Sequence, residues 1–187
     1  MTDGTDLTPR IEGSFELADG RQIGYAEYGA PNGRGVFWFH GTPGARRQMP
    51  PAIRSLAEQR NVRLVTLERP GVGTSTRFVY RNVREWSHDV EEIADGLGFE
   101  RFGLIALSGG GPYLLGCAYE LPERVAAGVV LGGVAPSRGP EAVPGGVIGL
   151  LTHIAPVLDL YKLPLGITAW GLIRALKPIK SPAFDLY

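Results

Sequence analysis

Four short apolar runs recur between Gly35 and Leu131: "GVFWF" (35–39), "VRLVTL" (62–67), "FGLIAL" (102–107) and "VAAGVVL" (125–131). They show little apolar–polar alternation. A strand with one wet face alternates, whereas a run of this kind suits a parallel strand covered on both faces. Helical patterns separate the runs. Residues 44–60 carry Ile53, Leu56 and Ala57 on one face, and residues 83–97 repeat Trp86, Val90, Ile93 and Leu97 at helical spacing. Asn82 with Glu85 three residues later fits a capping box, and Gly98 fits a C-terminal stop. A third helix is expected over 110–120, with Pro112 in its first turn, where a missing N–H costs little, and Pro122 limiting its end. The order β-α-β-α-β-α-β predicts an α/β fold, a mostly parallel sheet with right-handed crossovers and helices on both faces. Ahead of it, "GSFEL" and "RQIGYAEYG" flank "ADG", an Asp-Gly turn signal. That predicts an antiparallel hairpin extending the sheet at one edge.

Composition excludes several classes. The 187 residues are 44% hydrophobic and 20% charged, with 19 basic and 19 acidic side chains. No basic excess points to nucleic acid, and no acidic tract points to a solvating role. Cys117 is the single cysteine, so no intramolecular disulfide can form. With a polar first stretch, "MTDGTDLTPR", this sets the expectation of a cytoplasmic protein. Beyond Leu131 the character changes. The apolar stretch 147–180 is broken by His153, Pro156, Asp159, Lys162, Pro164 and Arg174. It reads as two short amphipathic helices rather than a membrane span, which needs about 20 largely uninterrupted apolar residues. Arg174, Lys177 and Lys180 leave a membrane-surface role open for it. The expected division is a tail (1–11), an α/β core (12–138) and a partial helical cap or insertion (139–187).

Three segments carry chemistry, each directly after an apolar run. In "ALSGGGP", Ser108 sits between a buried strand and a glycine turn that opens a helix. Small neighbours two residues either side, Ala106 and Gly110, are what a serine on a sharp strand-to-helix turn requires. Such a turn lifts the hydroxyl above the carboxyl edge of the sheet and brings the Gly109 N–H and the helix N-terminus to the same place. The bland alternative is a serine that caps the helix. In "HGTPG", His40, Gly41 and Gly44 surround Thr42, whose backbone N–H is the candidate partner of Gly109 in an oxyanion site. His40 reads as a structural residue holding that loop rather than a base. In "ERPGVGTS", Arg69, Gly71 and Gly73 form a turn-rich loop able to reach the same edge. Ligands in open α/β sheets bind at that edge.

Together these motifs resemble the α/β-hydrolase family of the serine-dependent kind. "HGTPG" resembles its oxyanion loop, "ERPGVGTS" its Asp-Arg-x-Gly-x-Gly-x-Ser loop, and "ALSGGGP" its nucleophile turn. Glu68 replaces the usual Asp and Ala106 the usual Gly. The resemblance covers about residues 12 to 135. It implies hydrolysis of an ester- or amide-type acyl bond in a small-molecule substrate, Ser108 as nucleophile, and neither metal nor organic cofactor.

In that family an acid and then a histidine follow the serine, beyond a cap. The chain stops at Tyr187, within what resembles the start of the cap, so neither partner is found. Of the three histidines, His88 reads as a solvated or partly packed side chain on its helix. His153, in the expected cap, is the one unconventional base worth testing, and Glu141 and Asp159 are its candidate acids without positional support. A catalytically inactive binding module is therefore the alternative reading. The run 125–131 would be a sheet edge with partly covered apolar faces, which leaves self-association open. Cys117 reads as a small core residue on the helix behind Ser108.

Overall fold

A computed structural model describes residues 8–136 and 140–143. One compact unit runs through Val134, and a second begins at Ala135. The first unit holds a six-stranded sheet in the order β1-β2-β4-β3-β5-β6. Strands β1 (Ile11–Glu16) and β2 (Gln22–Gly29) form the expected antiparallel hairpin, turning through Gly20 at φ +84°. β2 then pairs antiparallel with β4 (Val62–Leu67), while β3 (Arg34–Phe39), β4, β5 (Phe102–Leu107) and β6 (Val125–Leu131) are mutually parallel. The hairpin thus closes one edge of a parallel sheet, as its turn chemistry predicts. The cap expected over 139–187, with His153 and Asp159, lies almost wholly outside the described residues.

Helices cover both faces because the parallel strands are apolar on both faces. Helix α1 (Pro51–Gln59) packs Ala57 and Ile53, with Met49, against Trp38 and Leu64. Helices α2 (Trp86–Gly96) and α3 (Gly111–Glu120) cover the other face, where Trp86, Val90, Ile93, Leu114 and Cys117 meet Phe37, Phe39 and Leu104. Phe37 lies edge-on to Phe99 and to Phe102, at 5.6 and 5.1 Å between ring centroids. Edge-to-face pairs of this kind add about 0.5–1.5 kcal/mol beyond their buried area. Cys117 is a core residue, and burial pushes its thiol up to about 12.

Two helix expectations are corrected. The helix expected over 44–60 starts only at Pro51, because the Pro50–Pro51 pair sets a boundary and proline is tolerated in a first turn. Within it Leu56 is 47% exposed, and the covered positions are Arg54 and Ala57. The capping box at Asn82 is half formed. Asn82 caps a 3₁₀ turn (Val83–Glu85) by accepting from the Arg84 N–H, and the Glu85 carboxylate takes the N–H of Arg81 instead. The tighter 3₁₀ turn displaces the reciprocal geometry that an α-helical first turn would offer. Gly98 does end α2. Its φ of +73° lets its N–H reach the Asp95 carbonyl and the Phe99 N–H reach that of Ala94, the paired bonds of a Schellman motif.

Among the described residues, strand β6 is the sheet edge expected for 125–131, with Val129 51% exposed. Among the described residues no helix is long and apolar enough to cross a membrane.

Replacing Gly98 by Ala forces a Cβ into left-handed backbone. Equilibrium urea unfolding should show a loss of about 1–2 kcal/mol, with little change in the dependence on denaturant.

Candidate active site at the carboxyl edge of the sheet

The pairing register places the three candidate loops. Phe39 lies opposite both Leu67 of β4 and Ala106 of β5. The next residues, His40 and Glu68, and then Ser108 after Leu107, therefore leave the sheet side by side at its carboxyl edge. Residues far apart in sequence become neighbours with no long excursion of any loop.

Ser108 is one of two non-glycine residues with positive φ among those described, at +47°. It opens a 3₁₀ turn (Ser108–Gly110) that runs into α3, and it is half-buried. No side-chain cap bond serves α3 or the turn before it, so the helix-capping alternative for this serine is not what the fold uses. Left-handed backbone at a non-glycine residue costs on the order of 1–3 kcal/mol and persists only where its surroundings impose it. Here the surroundings are main chain. A Cβ on Gly110 would lie 2.6 Å from the Phe39 carbonyl oxygen and 2.9 Å from that of His40. Glycine at Gly110 lets the turn lie directly on the end of β3.

Thr42 and Gly109 are in contact. A Cβ on Gly109 would lie 2.5 Å from Thr42 Oγ1 and 3.4 Å from the Thr42 backbone nitrogen. Gly41 faces Ser108, since a Cβ built on it would stand 3.6 Å from the serine Cβ. The structure thus brings Ser108, Gly109, Gly41 and Thr42 together. Gly44 packs beside them on the Gln48 side chain, where a Cβ would lie 2.2 Å from Gln48 Oε1. Gln48 takes the Gly41 N–H at 2.8 Å and donates to the Pro43 carbonyl at 3.0 Å. The Gly41 donor is therefore occupied within the loop.

His40 is buried, and both its ring nitrogens are engaged. The Arg69 N–H donates to Nε2 at 3.3 Å, which leaves the proton on Nδ1 to bond the Gly41 carbonyl at 2.8 Å. Burial, reinforced by the nearby Arg69 guanidinium, pulls this imidazole down to about 4. A neutral, fully bonded histidine holds a loop, and it is not placed to take a proton from Ser108. His88 is exposed on α2, as expected. Glu141 is exposed as well.

Arg69 does more than its motif suggests. Its guanidinium donates to the carbonyls of His40 and Gly41, both at 2.6 Å, and to Thr42 Oγ1 at 2.9 Å, while lying over the Tyr113 ring at 5.1 Å. Burial lowers its pKa, yet a guanidinium keeps its charge in a protein. Glu68, read from sequence only as a departure from Asp, is a buried organiser. It accepts from Arg46 Nη1 and from the Thr74 N–H, both at 2.8 Å. Gly73, at φ +55°, leaves room for that carboxylate, since a Cβ there would lie 2.1 Å from it. Gly71, at φ +80°, turns the same loop. Gln48 and the Glu68–Arg46 pair have no local sequence signal, because each acts across a loop-to-loop contact. Among the described residues no group of three or more His, Cys, Asp or Glu side chains is placed to hold a metal ion.

This architecture is shared with known proteins. A solved hydrolase from Pseudomonas aeruginosa superposes with a TM-score of 0.65 at 20% identity, covering 95% of this chain and 65% of that one. An alpha/beta hydrolase fold protein from Chitinophaga pinensis gives a TM-score of 0.60 at 25% identity, over 70% of this chain and 46% of that one. The chain has the α/β-hydrolase fold. No family model matches it. A proline iminopeptidase of Neisseria meningitidis serogroup A is 29% identical over 151 residues, which is 79% of this chain and 48% of the relative. This α/β-hydrolase-fold chain spans about half the length of the curated relatives it matches.

The folded protein holds His40 neutral, whereas an unfolded chain protonates it near pH 6.5. Acidification from pH 6.5 towards 4 therefore favours unfolding, by up to on the order of 3 kcal/mol, and below pH 4 this contribution stops growing. Urea midpoints measured across that interval should fall in the parent and fall less in His40→Asn.

Proposed function

We propose that this chain supplies the nucleophile and oxyanion donors of a serine hydrolase acting on an ester- or amide-type acyl bond. The observation that carries the reading is the left-handed Ser108 at the end of β5, set against the Gly41–Thr42 loop. In the proposed reaction Ser108 Oγ attacks the acyl carbonyl carbon and yields its proton to a base. The carbonyl electron pair moves onto oxygen, where the N–H groups of Thr42 and Gly109 receive the charge. Collapse of the tetrahedral intermediate expels the leaving group, which takes the proton held by the base; water then attacks the acyl carbon, yields a proton to the base and releases the acid, and Ser108 Oγ regains its proton. These steps need neither metal nor organic cofactor. The name of the curated relatives, proline iminopeptidase, makes a peptide amide one candidate substrate class.

A second reading, a binding module without turnover, has one observation in its favour. His40 and His88 are the histidines among the described residues, one locked inside a loop and the other exposed on α2. His40, with both ring nitrogens engaged inside its loop, has no lone pair free to serve as the base of the proposed reaction.

A fluorophosphonate probe and a p-nitrophenyl ester separate the readings. The serine-hydrolase reading expects labelling of the parent chain at Ser108, ester turnover, and loss of both in Ser108→Ala. A folded parent that is neither labelled nor active on the ester supports the binding module, and equal turnover in parent and Ser108→Ala sinks Ser108 as nucleophile. A separate stability readout applies to Ser108→Gly. Relief of the left-handed strain should outweigh the extra freedom of the unfolded chain and raise stability by roughly 0.5–1 kcal/mol in urea unfolding.

A further inference from the structure

We infer that Arg69 is a positioning residue for the oxyanion site, acting through the peptide unit that joins Gly41 to Thr42. The inference rests on the serine-hydrolase reading and adds to it a residue that never touches substrate.

The Gly41–Thr42 peptide bond is trans, so its carbonyl oxygen and the Thr42 N–H point in opposite directions in one rigid plane. Whatever fixes the carbonyl therefore fixes the N–H. Two donors hold that oxygen: Arg69 Nη2 at 2.6 Å and His40 Nδ1–H at 2.8 Å. Arg69 controls the second as well as the first. Its own backbone N–H occupies His40 Nε2, which puts the imidazole proton on Nδ1 and aims it at the same carbonyl. The remaining guanidinium bonds, to the His40 carbonyl and Thr42 Oγ1, grip the residues on either side of Gly41. One planar fork thus spans three consecutive residues, a geometry a lysine ammonium cannot reproduce.

The consequence is electrostatic as well as geometric. A carbonyl that accepts from a cation and an imidazole N–H is polarised, and polarisation along a peptide unit strengthens its N–H as a donor. Gln48 holds the Gly41 N–H within the loop, so the Thr42 N–H is the donor that Arg69 aims. The loop after β4 thereby acts on the loop after β3, which gives an arginine at the start of that turn a role beside Ser108. The Tyr113 ring beneath the guanidinium, from the first turn of α3, ties this clamp to the helix that follows the nucleophile.

The test follows labelling of Ser108 by a fluorophosphonate, whose phosphoryl oxygen occupies the oxyanion position, and separates the limiting labelling rate from the half-saturating probe concentration. Arg69→Gln should lower the limiting rate about 10- to 100-fold, because a misaimed donor is lost in the transition state, while half-saturation stays within about twofold. Arg69→Lys keeps the charge but not the fork and should recover part of the rate. Circular dichroism and urea midpoints establish that each variant is folded, and Arg69→Lys decides the matter if Arg69→Gln does not fold. A folded variant labelled at the parent's limiting rate overturns the clamp, as does a loss confined to half-saturation. A parent chain that is not labelled at Ser108 overturns the serine-hydrolase reading first, and the clamp with it.

Discussion

The lateral register of β4, β3 and β5 is the constraint on which the rest depends. Phe39 stands opposite Leu67 on one side and Ala106 on the other. Because the three strands are parallel, their carboxyl ends open onto a single edge, and three unrelated loops begin within a few ångströms of one another. Slipping one strand by a single residue would turn its side chains to the wrong face of a sheet buried on both sides. The core therefore enforces the register, and the register places the candidate site.

Given that placement, the site is assembled by removing side-chain bulk and by spending buried charge. Gly110 lets the turn after β5 rest on the carbonyls at the end of β3, and Gly109 brings its backbone against Thr42. Arg69 and Glu68, adjacent in sequence, reach in different directions. Arg69 grips the loop after β3 near Ser108, and Glu68 anchors Arg46 further along that same loop. Glu68 is buried and Arg69 half-buried; ions taken out of water are costly to desolvate unless hydrogen bonds satisfy them, and each of these two has several. Their value lies in rigidity. They fix a segment that, with two glycines and two prolines among residues 41 to 50, has little regular structure of its own.

Legibility followed the range of the interaction. Ser108 was readable because its signature is local, with an apolar strand before it and small residues around it. The structural role of His40 was also readable, from its position in a loop expected to donate N–H groups. The start of α1 is not legible in the periodicity of Ile53, Leu56 and Ala57, because Pro50 and Pro51 set the boundary and Leu56 faces outward. Gln48, and the fork of Arg69 over His40, Gly41 and Thr42, were not readable at all. No local pattern announces a contact between residues 29 apart, and Glu68 differs from the expected Asp by one methylene whose reach matters only once Arg46 is in place.

By itself the amino-acid sequence determined the order of strands and helices, the parallel sheet with its antiparallel edge hairpin, and a serine at a strand-to-helix turn. Those follow from periodicity, turn chemistry and steric limits that act over a few residues. Only the tertiary structure decided which donor holds which carbonyl: that Arg69 sets the tautomer of His40, that both fix the Gly41–Thr42 peptide, and that Glu68 anchors Arg46. Hydrogen bonds are sensitive to tenths of an ångström, and such distances exist only after non-local packing has brought the loops together.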